Sequence, residues 1–176
     1  MRARQDIAVD RDGLIIDVRR NNGGNIDSWV IEKLLRRAWA YWKPRYGGHG
    51  DATNMQQSFR GHLAVLVDED TYSDGETFAA GIKALGLAPL IGMRTAGAGV
   101  WLSDDNRLAD RGLARAAETP QFAIGTGEWL VENKGVEPDM TVENLPNATF
   151  KGGDAQLDAA LKLLLEQMKT EPVKPL

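Results

Sequence analysis

Twice in this chain a short apolar run passes through a glycine-bearing loop into a segment of helical periodicity, and no other feature constrains the fold as much. The first run, Leu14-Ile15-Ile16-Asp17-Val18, reads as a buried strand entered from Asp12-Gly13. Arg19 to Asn25 follows as a loop, because its Asn-Gly-Gly supplies residues that tolerate positive φ. A helix is then expected from Asp27 to about Arg37, with Val30, Ile31, Leu34, Leu35 and Ala38 on one face and Asp27 or Ser28 as N-cap. The second run, His62 to Val67, leads through Thr71-Tyr72-Ser73-Asp74-Gly75-Glu76 into a helix stopped by Gly86. Leu87 to Gly92 reads as a third strand, ending in the loop Arg94 to Gly99. Such units in series predict an α/β domain with a largely parallel sheet covered by helices. Ligands bind such sheets beyond the carboxyl ends of the strands, so Asn21 to Asn25 and Thr71 to Gly75 are where chemistry is expected.

The rest of the chain fits one domain over residues 1–169. Residues 39–60 carry too many breakers for one element, and a loop of that length is usually functional or mobile. Val100 to Ala123 reads as short strands around an Asp110-Arg111-Gly112 turn. The last helix is the clearest, with Leu157, Ala160, Leu161, Leu164, Leu165 and Met168 at helical spacing behind Asp154. Residues 170–176, with two prolines, are expected to form a flexible tail.

Composition closes several routes. With no cysteine there is no disulfide, thiol nucleophile or thiolate metal site. A net charge of −4 argues against nucleic acid as a partner. No apolar run approaches the ~20 residues of a membrane span, so no membrane partner is expected. Gly23-Gly24 is not a G-x-G-x-x-G, and neither His49 nor His62 has metal-ligand spacing, so no cofactor or metal is expected. The segment behind Met1 is not a signal peptide, and the cytoplasm is expected rather than the periplasm.

Each candidate residue has two readings. Ser73, where a strand gives way to a helix, is either a hydroxyl projecting at the sheet edge or the first member of an S-x-x-E capping box with Glu76. Thr71 stands where a G-x-S-x-G elbow has its first glycine. Gly23-Gly24 either lets a backbone N–H face a substrate oxygen or makes a tight turn. Glu132 is a loop carboxylate of the kind usually solvated, His49 lies in a glycine-rich surface loop, and His62 opens a strand.

Taken in order, four segments resemble the tail-specific (carboxyl-terminal processing) serine peptidases, peptidase family S41, and within them the tricorn-protease branch. Asp12 to Arg19 with Asn-Asn-Gly-Gly is similar to the family's strand and glycine loop. Thr71 to Glu76 resembles its nucleophile segment, Leu90 to Gly97 the strand and loop after it, and Val131-Glu132-Asn133-Lys134-Gly135-Val136-Glu137-Pro138-Asp139 its E-N-x-G-V-x-P-D stretch. The resemblance implies a ClpP/crotonase-like core and peptide-bond hydrolysis through an acyl-enzyme. It implies Ser73 as nucleophile, the Gly24 and Asp74 N–H groups as oxyanion hole with Gly23 next to it, and Glu132 as the acid that orients the base. The capping reading of Ser73 falls behind the nucleophile reading.

The family's base is a histidine upstream of the glycine loop, beyond a PDZ domain in the tricorn branch, and nothing before Asp12 is a histidine. The expectation is a C-terminal catalytic subdomain whose partners are a peptide substrate, an upstream segment of the parent chain that supplies the base, and in a homo-oligomer further copies of itself. Alone it is expected to have little activity. Family spacing from Gly24 puts Trp42, beside Lys43 and Arg45, where tricorn-type enzymes carry an aspartate favouring basic P1 side chains. Trp42 is therefore the specificity candidate, and an apolar or acidic P1 residue fits it better. Two rivals are a non-catalytic module of the same fold, like the retinoid-binding repeats, and a crotonase-type acyl-CoA enzyme; the glycine-rich motifs of the latter are not apparent.

Overall fold

A four-stranded parallel sheet organises the molecule, in a computed structural model that describes residues 11–46 and 52–174. Its order is β1 (Gly13–Asp17), β4 (His62–Val67), β5 (Leu90–Gly92) and β8 (Met140–Thr141). β1 lies beside β4 from Gly13 opposite His62 to Asp17 opposite Leu66. β4 pairs with β5, and β5 with β8, in the same parallel sense.

β4 is central because it is apolar on both faces, and the period of two sorts its side chains. Val65 and Val67 face one layer with Ile31 and Leu34 of α1 (Asp27–Leu35) and Phe78, Ala79 and Ile82 of α2 (Asp74–Ala84). Ala64 and Leu66 face the other with Ile91 of β5 and Ala160 and Leu164 of α4 (Ala155–Thr170). The result is an α/β/α arrangement, the α/β class expected. Leu66 is fully buried, which contributes ~1.5–3 kcal/mol by removing its surface from water. α1 and α2 meet closely: a Cβ on Gly81 would lie 2.6 Å from Ile31 Cδ1, so a larger residue there would make the Ile31 side-chain tip move aside.

Several local features depart from expectation. α1 ends at Leu35 rather than Arg37, because Arg36 turns extended at φ −62°, ψ 133°. Its N-cap is Ile26, not Asp27 or Ser28; the Ile26 N–H donates to Asp74 Oδ2 on the next helix at 3.0 Å. The 39–60 stretch holds a two-residue antiparallel ladder, β2 (Tyr41–Trp42) against β3 (Ala52–Thr53), pinned where Asn54 Oδ1 accepts from the Trp39 and Ala40 N–H groups. β6 (Val100–Leu102) and β7 (Ala117–Pro120) pair antiparallel, and Arg107 bridges Leu113 across the expected turn. A short helix not foreseen, α3 (Pro146–Phe150), precedes α4. Leu161 and Leu165 of α4 are exposed, so its inner face is narrower than the periodicity suggests.

α4 is capped by Asp154, whose carboxylate accepts from the Leu157 N–H at 3.0 Å. It runs through Thr170, and beyond it the Glu171 and Lys174 carbonyls accept from His62 Nε2 and Arg60 Nη1. Among the described residues no helix is long and apolar enough to cross a membrane.

Candidate active site

The ends of β1 and β4 bring the two expected loops together. Beyond β4, Thr71 is fully buried; its hydroxyl accepts from the Asp68 N–H at 3.0 Å and lies 3.2 Å from the Val18 carbonyl. Beyond β1, Asn21 accepts from the Tyr72 N–H with its carbonyl at 2.8 Å and from the Gly23 N–H with its side chain at 2.8 Å. The two loops are therefore one hydrogen-bonded unit, and Thr71 does the anchoring where a G-x-S-x-G elbow has glycine.

Ser73 sits at its tip with φ 54° and ψ −116°. A non-glycine residue there lies outside every ordinary well and costs on the order of 1–3 kcal/mol. The same kind of strained strand-to-helix turn exposes the nucleophile in α/β-hydrolases. Gly23 is pressed against it: a Cβ there would stand 2.8 Å from Ser73 Cβ and 3.1 Å from Ser73 Oγ, at φ 102°. Both halves of a capping box are present: Glu76 Oε2 accepts from the Ser73 N–H at 3.1 Å, and the Ser73 side chain faces the Glu76 backbone N–H without closing a well-formed hydrogen bond. The hydroxyl is not committed to the helix end. Nor do the Gly24 and Asp74 N–H groups donate to any protein acceptor among the described residues.

A cavity of about 220 Å³ opens beside this elbow, lined by Gly24, Asp27, Ser73, Asp74, Trp101 and Gln121 among others. Two carboxyls meet in its wall. Burial pushes the Asp27 carboxyl above the usual carboxylate range, and the neighbouring Asp74 carboxyl adds to the shift. Trp42 lies elsewhere, on β2 and 71% exposed, so the structure does not bring it to this cavity. Trp101 and Gln121, which no motif marks, are there instead, carried in by the β6–β7 ribbon.

Glu132 is half-buried in a turn closed by the Lys134 and Gly135 N–H groups on the Val131 carbonyl. It neither lines the cavity nor hydrogen-bonds Ser73 among the described residues, but its neighbour does reach the site. The Asn133 N–H donates to the Gly97 carbonyl at 2.8 Å, and the Gly97 N–H donates to Glu76. His62 is at the other end of β4, its Nε2 on the Glu171 carbonyl at 2.8 Å. The strand alone separates it from the elbow by ~3.3 Å per residue, beyond reach of Ser73. His49 lies outside the described residues. Among the described residues no group of three or more metal-ligating side chains could hold a metal ion.

The group that sequence reading underrated is Glu76. It is fully buried, contacts no cation among the described residues, and its carboxylate takes four donors. Oε1 accepts from the Thr95 hydroxyl at 2.6 Å and the Gly97 N–H at 2.6 Å; Oε2 accepts from the Ala98 N–H at 2.8 Å and from Ser73. The S-x-x-E pattern marked it as a cap, but its partners on the 95–98 loop carried no local signal.

Comparison with known proteins gives the family and the fold. The model of peptidase family S41 matches residues 2–142. Tricorn protease homolog 1 of Streptomyces coelicolor is 38% identical over 168 residues, covering 96% of this chain and 16% of that protein. Tricorn protease of Thermoplasma acidophilum is 38% identical over 160 residues, covering 89% of this chain and 14% of that one. The crystal structure of the tricorn protease superposes with a TM-score of 0.82 at 36% identity, over 90% of this chain and 15% of the other. The chain thus spans about one-sixth or less of the length of these relatives.

Proposed function

Since the chain belongs to peptidase family S41, we propose that it is the nucleophile-bearing part of a serine endopeptidase that cleaves unfolded or short peptides. Ser73 Oγ adds to the scissile carbonyl carbon while a histidine takes its proton, and the carbonyl oxygen, now negative, receives the Gly24 and Asp74 N–H groups. The C–N bond then breaks, the amine leaves with the proton from the histidine, and the acyl group remains on Ser73 until water releases it. Glu132 orients the histidine. The family resemblance assigns that histidine to an upstream segment of a longer chain, and His62, at the far end of the sheet, does not supply it.

The observation that carries this reading is the backbone of Ser73. A serine whose only task is to cap a helix gains nothing from φ 54°, ψ −116°. A serine that must present its hydroxyl clear of the helix end, next to two N–H groups without protein acceptors among the described residues, does.

The test is labelling of the full-length protein with a fluorophosphonate and hydrolysis of an unstructured peptide. Ser73→Ala is expected to abolish both. Labelling that persists in Ser73→Ala assigns the nucleophile elsewhere. The 176-residue chain alone is expected to hydrolyse peptide at least ~10³-fold more slowly than the full-length protein, because a serine without a base is a weak nucleophile.

A further inference from the structure

We propose that Glu76 is a positioning residue that locks the Ser73 elbow to the wall of the cavity, so that nucleophile, oxyanion donors and substrate wall hold one geometry. The inference rests on the serine reading above.

A capping box explains only one of the four hydrogen bonds of Glu76, the one to the Ser73 N–H. The other three go to Thr95, Gly97 and Ala98, 19 to 22 residues away on the loop after β5. That loop runs directly into Gly99, Val100 and Trp101, which line the cavity beside Ser73. The same loop holds the turn that carries Glu132, through the Asn133 N–H on the Gly97 carbonyl and the Val136 N–H on Thr95 Oγ1 at 2.8 Å. One carboxylate therefore joins the elbow to the loop that runs into the wall, and through that loop to the turn of the proposed acid.

Chemistry favours a carboxylate for this task. Four donors saturate roughly the four lone-pair directions of a carboxylate: Oε1 takes two from the 95–98 loop, and Oε2 bridges that loop to the elbow. The anion also sits in the first turn of α2, where the helix end favours negative charge without a cation. Glutamine keeps the shape but must turn an NH2 group toward N–H or O–H donors on one side, which breaks the lock there. Since Ser73 is held in a strained backbone conformation, loss of its N–H acceptor releases the elbow first.

The experiment uses the full-length protein, peptide hydrolysis, fluorophosphonate labelling and amide hydrogen exchange. Glu76→Gln is expected to lower kcat and the labelling rate together by ~10²-fold, the size expected of an ~1 Å displacement, with KM changed less than ~3-fold. Exchange at Gly97 and Ala98 should speed up. Leu164→Ala, on the opposite face, serves as the control for instability and is expected to lower the melting temperature without lowering kcat per folded molecule. Thr95→Val removes the donor to Glu76, and with it the acceptor of the Val136 N–H, at constant shape, and is expected to cost ~10-fold in kcat, with Thr95→Ser restoring it; this pair decides the matter if Glu76→Gln does not fold. If Ser73→Ala abolishes activity while Glu76→Gln and Thr95→Val lose no more kcat than Leu164→Ala, the lock is refuted and the nucleophile stands. Activity retained in Ser73→Ala refutes the serine reading itself.

Discussion

The chain satisfies its carboxylates in opposite ways at the two sides of the sheet. Beside the elbow, Glu76 is held by backbone N–H groups and one hydroxyl, with no cation among the described residues. On the α4 side, Asp17 and Asp154 share the Arg19 guanidinium at 2.7 and 2.9 Å, and Gln156 and Asn144 complete the cluster. Backbone donors fix where loops run, because the amide cannot move without the chain. A guanidinium on a flexible stem joins elements that are already rigid, here the end of β1 and the start of α4. The elbow network should therefore govern chemistry, and the arginine clamp should govern stability.

The comparison breaks first at Gly23. Gly23→Ala pushes a methyl group into Ser73 Cβ and Oγ at a φ alanine rarely adopts. Peptide hydrolysis by the full-length protein is expected to fall by at least ~10²-fold, since that is what an ~1 Å shift of a nucleophile costs. An unchanged kcat would mean that the elbow tolerates displacement and that the contrast is wrong. Arg19→Ala is expected to do the reverse, leaving kcat per folded molecule intact while destabilising the chain. Arg19 is mostly buried but its partners are partly solvated, so the cost is about 1–2 kcal/mol rather than that of a fully buried pair, or roughly 2–8 °C in a melt.

The division also separates what the sequence discloses from what it hides. β1, β4, α2 and α4 were legible because apolar spacing is a local signal. The order of glycine loop and serine turn placed Gly23 and Ser73 in one site, and their packing agrees. The arginine clamp was not legible, since Arg19 and Asp154 lie 135 residues apart and their types recur throughout the surface. The same holds for Glu76, whose cap pattern is local but whose partners on the 95–98 loop are not. α3 escaped because five residues with none buried have no periodicity to read. The N-cap of α1 was misassigned because a residue of α2, Asp74, takes the Ile26 N–H, a choice made by packing. The cavity wall is hidden for a related reason: Trp101 and Gln121 arrive on a ribbon whose register shifts between Trp101 and Leu102.

Acid titration sharpens the contrast further. Hydrogen bonds from Arg19 hold the Asp17 and Asp154 carboxyls below the usual carboxylate range. A carboxyl lowered in the fold contributes stability above its unfolded pKa of about 3.8 and loses it as pH falls through the lower folded value. Below pH ~4 the melting temperature should fall with a slope that Arg19→Ala flattens; a slope unaffected by that change would remove the clamp from the acid limb.

The smallest effect returns to the cavity wall, where Asp27 behaves in the opposite sense. Its carboxyl is raised by burial first and by Asp74 second, so ionisation is less favourable in the folded chain than in the unfolded one. The fold carries no such penalty below the unfolded pKa of about 3.8 and acquires it as pH rises through the raised folded value. Asp27→Asn keeps an oxygen for the Ser28 N–H and an NH2 group for Asp74. It is expected to raise the melting temperature at pH 7 by on the order of 1–2 °C, a modest figure because the group is partly solvated, and to leave it unchanged at pH 3. A gain of equal size at both pH values would attribute the effect to packing and not to charge, and with it the claim that like charges meet in the cavity wall would fall.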